Sequence, residues 1–272
     1  MAKELYNNIL QRLPSALLLA GLIFGTLYLQ NKLIIFFLIL LVGFLLIKEW
    51  LTLSKSKVDL KQIIFFVAPI ALSFYFTEKF LSLYLYAATI MWLSYAFMLI
   101  SKKSSSITSI SFKNNYLGIF LMLGFLFGLI YFIFFLEFSG INKFFALFII
   151  LFNTALIDVA AYLVGSSIGK TPLFPEISPN KTLEGFVGGL SAVLIFMIFM
   201  HSFDFVSMEF LAASMLSIPF AFIGDYFESQ LKREQNIKDS GSLIPGHGGV
   251  WDRLDSHIAV IPIFVSLSIL IV

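Results

Sequence analysis

Long apolar runs, separated by short polar segments, dominate the chain. A helix that spans a bilayer needs roughly 20 apolar residues, and many of these runs approach that length. The pattern predicts nine transmembrane helices, at 14–30, 33–50, 62–77, 80–100, 116–136, 144–168, 183–202, 207–226 and 255–272. The expected fold class is therefore an all-α polytopic integral membrane protein.

A polar segment after the fourth span divides the predicted helices. It reads KKSSSITSIS, which is typical of a flexible connection. We expect N-terminal transmembrane helices over 1–110, a middle helix over 111–140, and a C-terminal catalytic transmembrane region with cytoplasmic loops over 141–272. No internal repeat is visible in the sequence.

Composition narrows the chemistry that the chain can perform. It is 59% hydrophobic and 12% charged, with a mean hydropathy of +0.95, which excludes an ordinary soluble core. The absence of cysteine excludes a disulfide and a thiolate nucleophile, so any metal would be held by oxygen or imidazole. No cleavage site follows a short apolar core, so we expect a retained N-terminus. The net charge of +2 gives no indication of a nucleic-acid partner.

Lysine and arginine are distributed unevenly between the two sides of the predicted helices. If the N-terminus is cytoplasmic, fifteen of them lie inside and three outside, which is the bias that the positive-inside rule describes. The three outside are Lys32, Lys79 and Lys143. We therefore expect a cytoplasmic N-terminus, an outside C-terminus, and polar loops after the sixth and eighth spans that share the cytoplasmic side.

The stretch 225–255, DYFESQLKREQNIKDSGSLIPGHGGVWDRLD, concentrates ionisable groups that are scarce elsewhere. Helical spacing puts four side chains on one stripe at the end of the eighth span: Asp225, Glu228, Ser229 and Lys232. An unpaired carboxylate beside an apolar run is unfavourable, which favours a functional role for Asp225. Lys232 and Arg233 could equally be basic residues that snorkel at a helix end.

Asp252, Arg253 and Asp255 open the ninth span, with the two carboxylates three residues apart on one helical face. Such carboxylates can also cap a helix and complement its dipole. The preceding turn, 245–249, has the Gly-rich form in which backbone N–H groups cradle phosphate, although this signal alone is weak. Together, these acids and bases are the residue types that a magnesium-nucleotide site requires. Mg²⁺ is held by one or two carboxylates plus substrate phosphates, and the basic side chains can bind the phosphates.

Two upstream groups of residues extend the predicted site. Asp158 lies inside the sixth span, where an ionisable residue is a functional candidate by default; the alternative is a buried, protonated structural acid. Ser178 and Lys181 precede the seventh span, and Glu184 lies in its first turn. Lys181 suits phosphate binding, whereas the whole stretch could also supply only helix capping.

These stretches resemble the phosphatidate cytidylyltransferases, also called CDP-diacylglycerol synthases. The similar C-terminal elements are S-x-L-K-R at 229–233, K-D-x-G at 238–241 and I-P-x-H-G-G-V-x-D-R-L-D at 244–255. The similar upstream elements are D-x-x-A-Y at 158–162 and S-P-x-K-T-x-E-G at 178–185. The resemblance covers about residues 150–272. The sequence departs from the family pattern at two positions: Asn180 stands where a second lysine is common, and Leu183 where a tryptophan is common.

The resemblance implies transfer of CMP from CTP to phosphatidic acid, which gives CDP-diacylglycerol and pyrophosphate. It implies Mg²⁺ as the divalent cation and leaves a second cation open. The implied metal ligands are Asp225 and Asp252, supported by Glu228 and Asp255. The residues implied in catalysis are Asp225, Lys238, Asp239, His247 and Asp252. The residues implied in substrate binding are Asp158, Ser178, Lys181, Glu184, Ser229, Lys232, Arg233, Gly248, Gly249 and Arg253.

The resemblance also implies a homodimer and an inner-membrane enzyme whose site faces the cytoplasm, where CTP arrives while the lipid keeps its acyl chains in the bilayer. One alternative is a CTP-dependent polyprenol or phytol kinase, which the H-G-G-x-x-D-R-x-D segment disfavours. A CDP-archaeol synthase, with a different lipid acceptor, is a closer alternative. A transporter is disfavoured because the ionisable groups gather at one face without a repeat.

Overall fold

The computed structural model describes residues 17–53, 60–101, 115–237, 239–241, 243 and 248–271. The helices in these ranges are α1 (Leu17–Tyr28), α2 (Lys32–Leu53), α3 (Leu60–Ala71), α4 (Glu78–Ile100), α5 (Asn115–Phe134), α6 (Lys143–Ile168), α7 (Leu183–Ser202), α8 (Met208–Ser217), α9 (Phe220–Glu234) and α10 (Trp251–Ile271). A 3₁₀ turn, Leu72–Tyr75, follows α3. Two short strands, β1 (Pro172–Phe174) and β2 (Ser178–Thr182), lie between α6 and α7.

Most of the helices have the length and composition of membrane spans. In the described ranges, seven helical segments are long and apolar enough to cross a bilayer, with α8 and α9 counted together, while α1 and α3 are shorter apolar helices. Large apolar side chains remain exposed on several helices, including Phe37 at 66%, Phe97 at 73% and Ile195 at 69%. Such exposure suits contact with lipid. The predicted all-α membrane protein is confirmed, and the count of nine spans stays a prediction.

The segment expected as one span at 207–226 is longer and is interrupted. α8 ends at Ser217, and α9 begins at Phe220, directly after Pro219. Proline has no backbone N–H and its ring clashes with the preceding turn, so a helix commonly breaks there. α9 then continues to Glu234, which keeps the predicted acidic stripe helical.

Small residues allow α6 and α7 to pack closely. Gly185 and Gly189 are four apart on α7, and each faces a backbone oxygen of α6: a Cβ at Gly185 would lie 2.7 Å from Ala161 O, and one at Gly189 would lie 2.8 Å from Ile157 O. Interfaces of this kind are common between membrane helices, where packing rather than hydrophobic burial drives association. The contact fixes the start of α7 against the C-terminal half of α6.

α10 lies at the centre of the C-terminal helices and packs against α4, α5, α8 and α9. Gly224 permits the contact with α9, because a Cβ there would overlap Asp255 O and lie 3.2 Å from Ala259 Cβ. α5 packs against α2 and α4 as well as α10. The divisions expected at 110 and 140 stay predictions. The close α9–α10 contact brings the acids of both helices together.

The antiparallel hairpin β1–β2 was not predicted. Its ends are held by Glu184, whose carboxylate accepts hydrogen bonds from Lys170 N at 3.0 Å and from Thr171 N and Oγ1 at 3.1 and 2.9 Å. The ring of Phe174 packs edge-on against that of Tyr226, with centroids 4.9 Å apart. These contacts place β2, with the predicted Ser178 and Lys181, beside α9.

Candidate active site

A cavity of about 810 Å³ lies among α6, α7, α9, α10 and the hairpin. Its volume falls in the range of roughly 300–1,000 Å³ that is usual for ligand pockets. The cavity unites predicted residues from four separate stretches of sequence: Asp158, Ser178, Lys181, Asp225, Glu228, Ser229, Lys232, Arg233, Asp239, Asp252, Arg253 and Asp255. Its lining also includes other residues of the two upstream motifs, Ala161, Tyr162, Asn180, Thr182 and Gly185, and residues that were not predicted, Gly165, Ser166, Phe186 and Phe222.

Three acids form a compact cluster in the cavity. Asp225 and Glu228 come from one face of α9, Asp255 comes from α10, and each offers a carboxylate oxygen within 4.8 Å of the others. The side chain of Glu228 is only 2% exposed, and its Oε1 atom has no hydrogen-bond partner among the described residues. Hard carboxylate oxygens in close proximity are the donors that Mg²⁺ prefers. This donor set therefore fits a divalent cation.

Asp252 lies beside this cluster but is occupied by protein donors. Its Oδ1 atom accepts a hydrogen bond from Lys232 Nζ at 2.8 Å, while Oδ2 accepts from Ser240 N, Ser240 Oγ and Gly249 N at 2.8, 2.9 and 2.7 Å. Lys232 also donates to Glu228 Oε2 at 2.8 Å. One ammonium group thus connects Asp252 to the acid cluster.

The cavity contains basic groups as well as acids. Lys181 forms an ion pair with Asp225, and its Nζ lies 4.8 Å from the centroid of the Tyr226 ring. Arg233 and Arg253 also line the cavity, which has two more acids than bases in its lining. A polyanionic ligand would be repelled by this balance unless cations entered with it.

Asp158 occupies a separate position on the wall that α6 contributes. Ser256 Oγ, on α10, donates a hydrogen bond to Asp158 Oδ2 at 3.2 Å. On α9, Ser229 Oγ similarly donates to Asp225 Oδ1 at 3.3 Å. Both serines thus orient carboxylates in the cavity through side-chain hydrogen bonds.

Five predicted residues are not placed in the cavity lining. Glu184 braces the hairpin, and Gly248 and Gly249 lie in the turn before α10. Gly248 has φ +82°, a left-handed conformation that favours glycine, and a Cβ there would overlap the Asp252 carboxylate. Lys238 and His247 lie outside the described residues.

Glu49 was missed by the sequence reasoning, although it contacts the edge of the site. It lies on α2, about 200 positions before α10, and its carboxylate accepts hydrogen bonds from Val250 N at 2.8 Å and Trp251 N at 2.9 Å. The available signal was a single acid inside an apolar span, which is unusual in a membrane helix.

Comparison with known proteins identifies the family. A family model described as "Cytidylyltransferase family" matches residues 10–271, nearly the whole chain. The chain belongs to the cytidylyltransferase family. This membership covers the N-terminal helices too, beyond the 150–272 region in which the sequence resemblance was recognised.

Several curated relatives of the family are named phosphatidate cytidylyltransferase. The Bacillus subtilis (strain 168) protein is 38% identical over 130 residues, 47% of this chain and 47% of the relative. The Staphylococcus aureus (strain COL) protein is 43% identical over 120 residues, and the Staphylococcus haemolyticus (strain JCSC1435) protein is 47% identical over 121 residues; each match covers 43% of this chain and 45% of the relative. The matched stretches span less than half the length of these curated relatives.

Proposed function

We propose that the protein is a phosphatidate cytidylyltransferase, which transfers CMP from CTP to phosphatidic acid and releases pyrophosphate. The observation that carries the proposal is the cavity in which the acids Asp225, Glu228 and Asp255 lie beside lysines and arginines from three elements. Family membership and the names of the relatives support the same activity. They do not favour the polyprenol kinase alternative.

We propose that Asp225, Glu228 and Asp255 hold Mg²⁺, a set supported by their mutual proximity and by the unpartnered Oε1 atom of Glu228. Bound there, a divalent cation would neutralise charge on the phosphates of CTP. Asp252 is left out of this set because its oxygens already accept four hydrogen bonds from protein donors. Its role as a metal ligand stays a prediction. A second cation also stays a prediction, and the acidic balance of the lining is compatible with it.

The chain's own residues would act mainly by binding and orienting the two reactants. Both CTP and phosphatidic acid are polyanions, so Lys181, Arg233 and Arg253 would bind phosphate oxygens and reduce their mutual repulsion. A phosphate oxygen of the lipid attacks the α phosphorus of CTP; the new P–O bond forms as the bond to the β-phosphate oxygen breaks. Pyrophosphate leaves with that electron pair.

The roles of other predicted residues follow from their positions. Lys232 would hold Glu228 and Asp252 in register, while Ser178, Ser229 and Asp239 line the cavity where substrate would bind. Phe186 and Phe222 give one part of the lining an apolar character. This apolar part of the lining suits the acyl chains and glycerol backbone of a lipid. The phosphates of CTP would instead bind to the part of the lining that carries the charged residues.

We also propose the finer topology and location that the charge distribution supports. The chain would cross the inner membrane nine times, with the N-terminus and the cavity on the cytoplasmic side. Cytosolic CTP and membrane-embedded phosphatidic acid would then meet at the inner interface. The homodimer stays a prediction, which light scattering of the purified protein in detergent would check.

The released product tests the activity. Purified protein in mixed micelles would receive CTP, phosphatidic acid and Mg²⁺, and the aqueous products would be separated by anion-exchange chromatography. Pyrophosphate in a 1:1 ratio to CDP-diacylglycerol supports cytidylyl transfer. CDP together with a newly phosphorylated lipid alcohol, when an alcohol replaces phosphatidic acid, would instead establish a lipid kinase and overturn the proposal.

A further inference from the structure

The carboxylate of Glu49 caps the first turn of α10 from another helix. Its Oε1 atom accepts from Val250 N at 2.8 Å and its Oε2 atom accepts from Trp251 N at 2.9 Å. The first backbone N–H groups of a helix have no partner within the helix, and the helix dipole favours a negative charge beside them. Glu49 thus supplies both an acceptor pair and a charge at the start of α10.

The neighbouring aromatic residues reinforce this contact. Trp50, next to Glu49 on α2, packs on Trp251 with ring centroids 4.7 Å apart. Trp50 is 1% exposed and Trp251 is 2% exposed. Two consecutive residues of α2 therefore contact consecutive residues at the start of α10, one pair through hydrogen bonds and one pair through rings. A contact with two different components fixes both the position and the rotation of the helix end.

A short chain of contacts connects Glu49 to the acids of the cavity. Ser240 Oγ lies 3.4 Å from Glu49 Oε2 and 2.9 Å from Asp252 Oδ2, and Ser240 is 5% exposed. Asp252 in turn binds Lys232, which binds Glu228 of the acid cluster. Asp252 also directly follows Trp251, whose amide Glu49 holds. Displacement of the helix start would therefore move Asp252 with it.

We propose that Glu49 is a positioning residue for the reaction: from the second membrane helix, it fixes the start of α10 and thereby the orientation of Asp252 and Asp255. The proposal gives the N-terminal helices a role in the active site, and it rests on the proposed function for its catalytic consequence. Glu49 is absent from the cavity lining, so it acts through backbone amides and not through substrate.

Amide hydrogen exchange tests the contact without reference to activity. Glu49→Gln replaces one acceptor oxygen with an NH₂ donor, and Glu49→Ala removes both acceptors. Exchange at Val250 and Trp251 should quicken by at least about tenfold in Glu49→Ala, because hydrogen bonds to a charged acceptor are lost, and by less in Glu49→Gln. Glu78→Gln is the control, since the Glu78 carboxylate, on α4, accepts a hydrogen bond from Tyr131 Oη on α5 at 2.8 Å.

Steady-state kinetics on the folded fraction supply the second readout. The proposal predicts a kcat lower by roughly tenfold to a hundredfold in Glu49→Ala, an intermediate kcat in Glu49→Gln, and an unchanged KM for CTP. A lower thermal stability with an unchanged kcat per folded molecule would make Glu49 merely structural and overturn the proposal. Unchanged exchange at Val250 and Trp251 would overturn it as well.

The two measurements, amide hydrogen exchange and steady-state kinetics, distinguish failure of the positioning role from failure of the proposed function. If the wild-type protein forms no CDP-lipid, the proposed function and the catalytic role of Glu49 both fail, while exchange still decides whether the cap exists. If the wild type is active and both Glu49 variants match it, only the positioning role fails. The Glu78→Gln control should match the wild type in both hydrogen exchange and kinetics.

Discussion

Replacement of Lys232 by methionine tests whether the acids of the site depend on one shared ammonium group. Lys232 Nζ lies 2.8 Å from Glu228 Oε2 and 2.8 Å from Asp252 Oδ1, and the two acidic side chains are 2% and 5% exposed. Methionine matches the unbranched stem of lysine up to Cε but lacks the ammonium group. The variant therefore leaves two carboxylates in a buried site without their common partner.

The burial of these groups sets the expected magnitude. Removal of one partner from a buried ion pair typically costs about 3–5 kcal/mol, because the remaining charge stays desolvated. The chain offers a matched control in Lys143, whose Nζ lies 3.5 Å from Glu137 Oε1, with the Glu137 side chain 85% exposed. Lys143→Met should cost only about 0–1 kcal/mol, because the exposed carboxylate of Glu137 stays solvated by water when its partner is removed.

The assay is the free energy of unfolding in mixed micelles, measured by denaturant titration and followed by tryptophan fluorescence. Adding Glu228→Gln to Lys232→Met should recover part of the loss, since it removes one of the unpaired charges. Loss of activity should accompany the loss of stability in Lys232→Met. The reasoning is refuted if Lys232→Met costs no more free energy than Lys143→Met, or if Glu228→Gln makes the Lys232→Met protein still less stable.

Three further substitutions address the cation site, the phosphate site and the helix contact. Asp225→Asn should abolish turnover while the protein stays folded and membrane-inserted, and near-normal activity would contradict the role of Asp225 as a metal ligand. Lys181→Ala should raise the KM for CTP by at least about tenfold, the value of one charge-assisted contact, and an unchanged KM would contradict its phosphate role. Gly224→Ala should cost about 1–3 kcal/mol of unfolding free energy, because the added Cβ would overlap Asp255 O. Gly25→Ala is the control and should not destabilise the protein, since nothing lies within 4 Å of the added Cβ. Equal effects of the two substitutions would contradict the packing argument.

The sequence predicted those parts of the site in which charged residues lie close together along one helix. Asp225, Glu228 and Lys232 share a helical face because of their spacing alone, and the structure places that face in the cavity. The Asp252–Asp255 pair follows the same rule at the start of α10. Hydropathy likewise predicted an all-α membrane protein, because the need to satisfy backbone hydrogen bonds in lipid leaves few alternatives.

The missed features depend on contacts between distant segments or on irregular backbone. Glu49 is a lone acid beside Lys48 near the end of an apolar span, and only the packing of α2 on α10 brings it to Val250. The hairpin has strands of three and five residues, too short to produce a clear alternation of polar and apolar positions. Glu184 stays a predicted substrate-binding residue, and in the folded chain its carboxylate also accepts hydrogen bonds from Lys170 and Thr171, directly before the hairpin.

Transfer of label from CTP to lipid tests the central claim most directly. The wild-type protein and the Asp225→Asn variant would be incubated in mixed micelles with phosphatidic acid, Mg²⁺ and CTP labelled at the α phosphate. The proposed function predicts label in a CDP-lipid for the wild type and none for the variant. Absence of labelled lipid from folded wild-type protein would contradict cytidylyl transfer to phosphatidic acid.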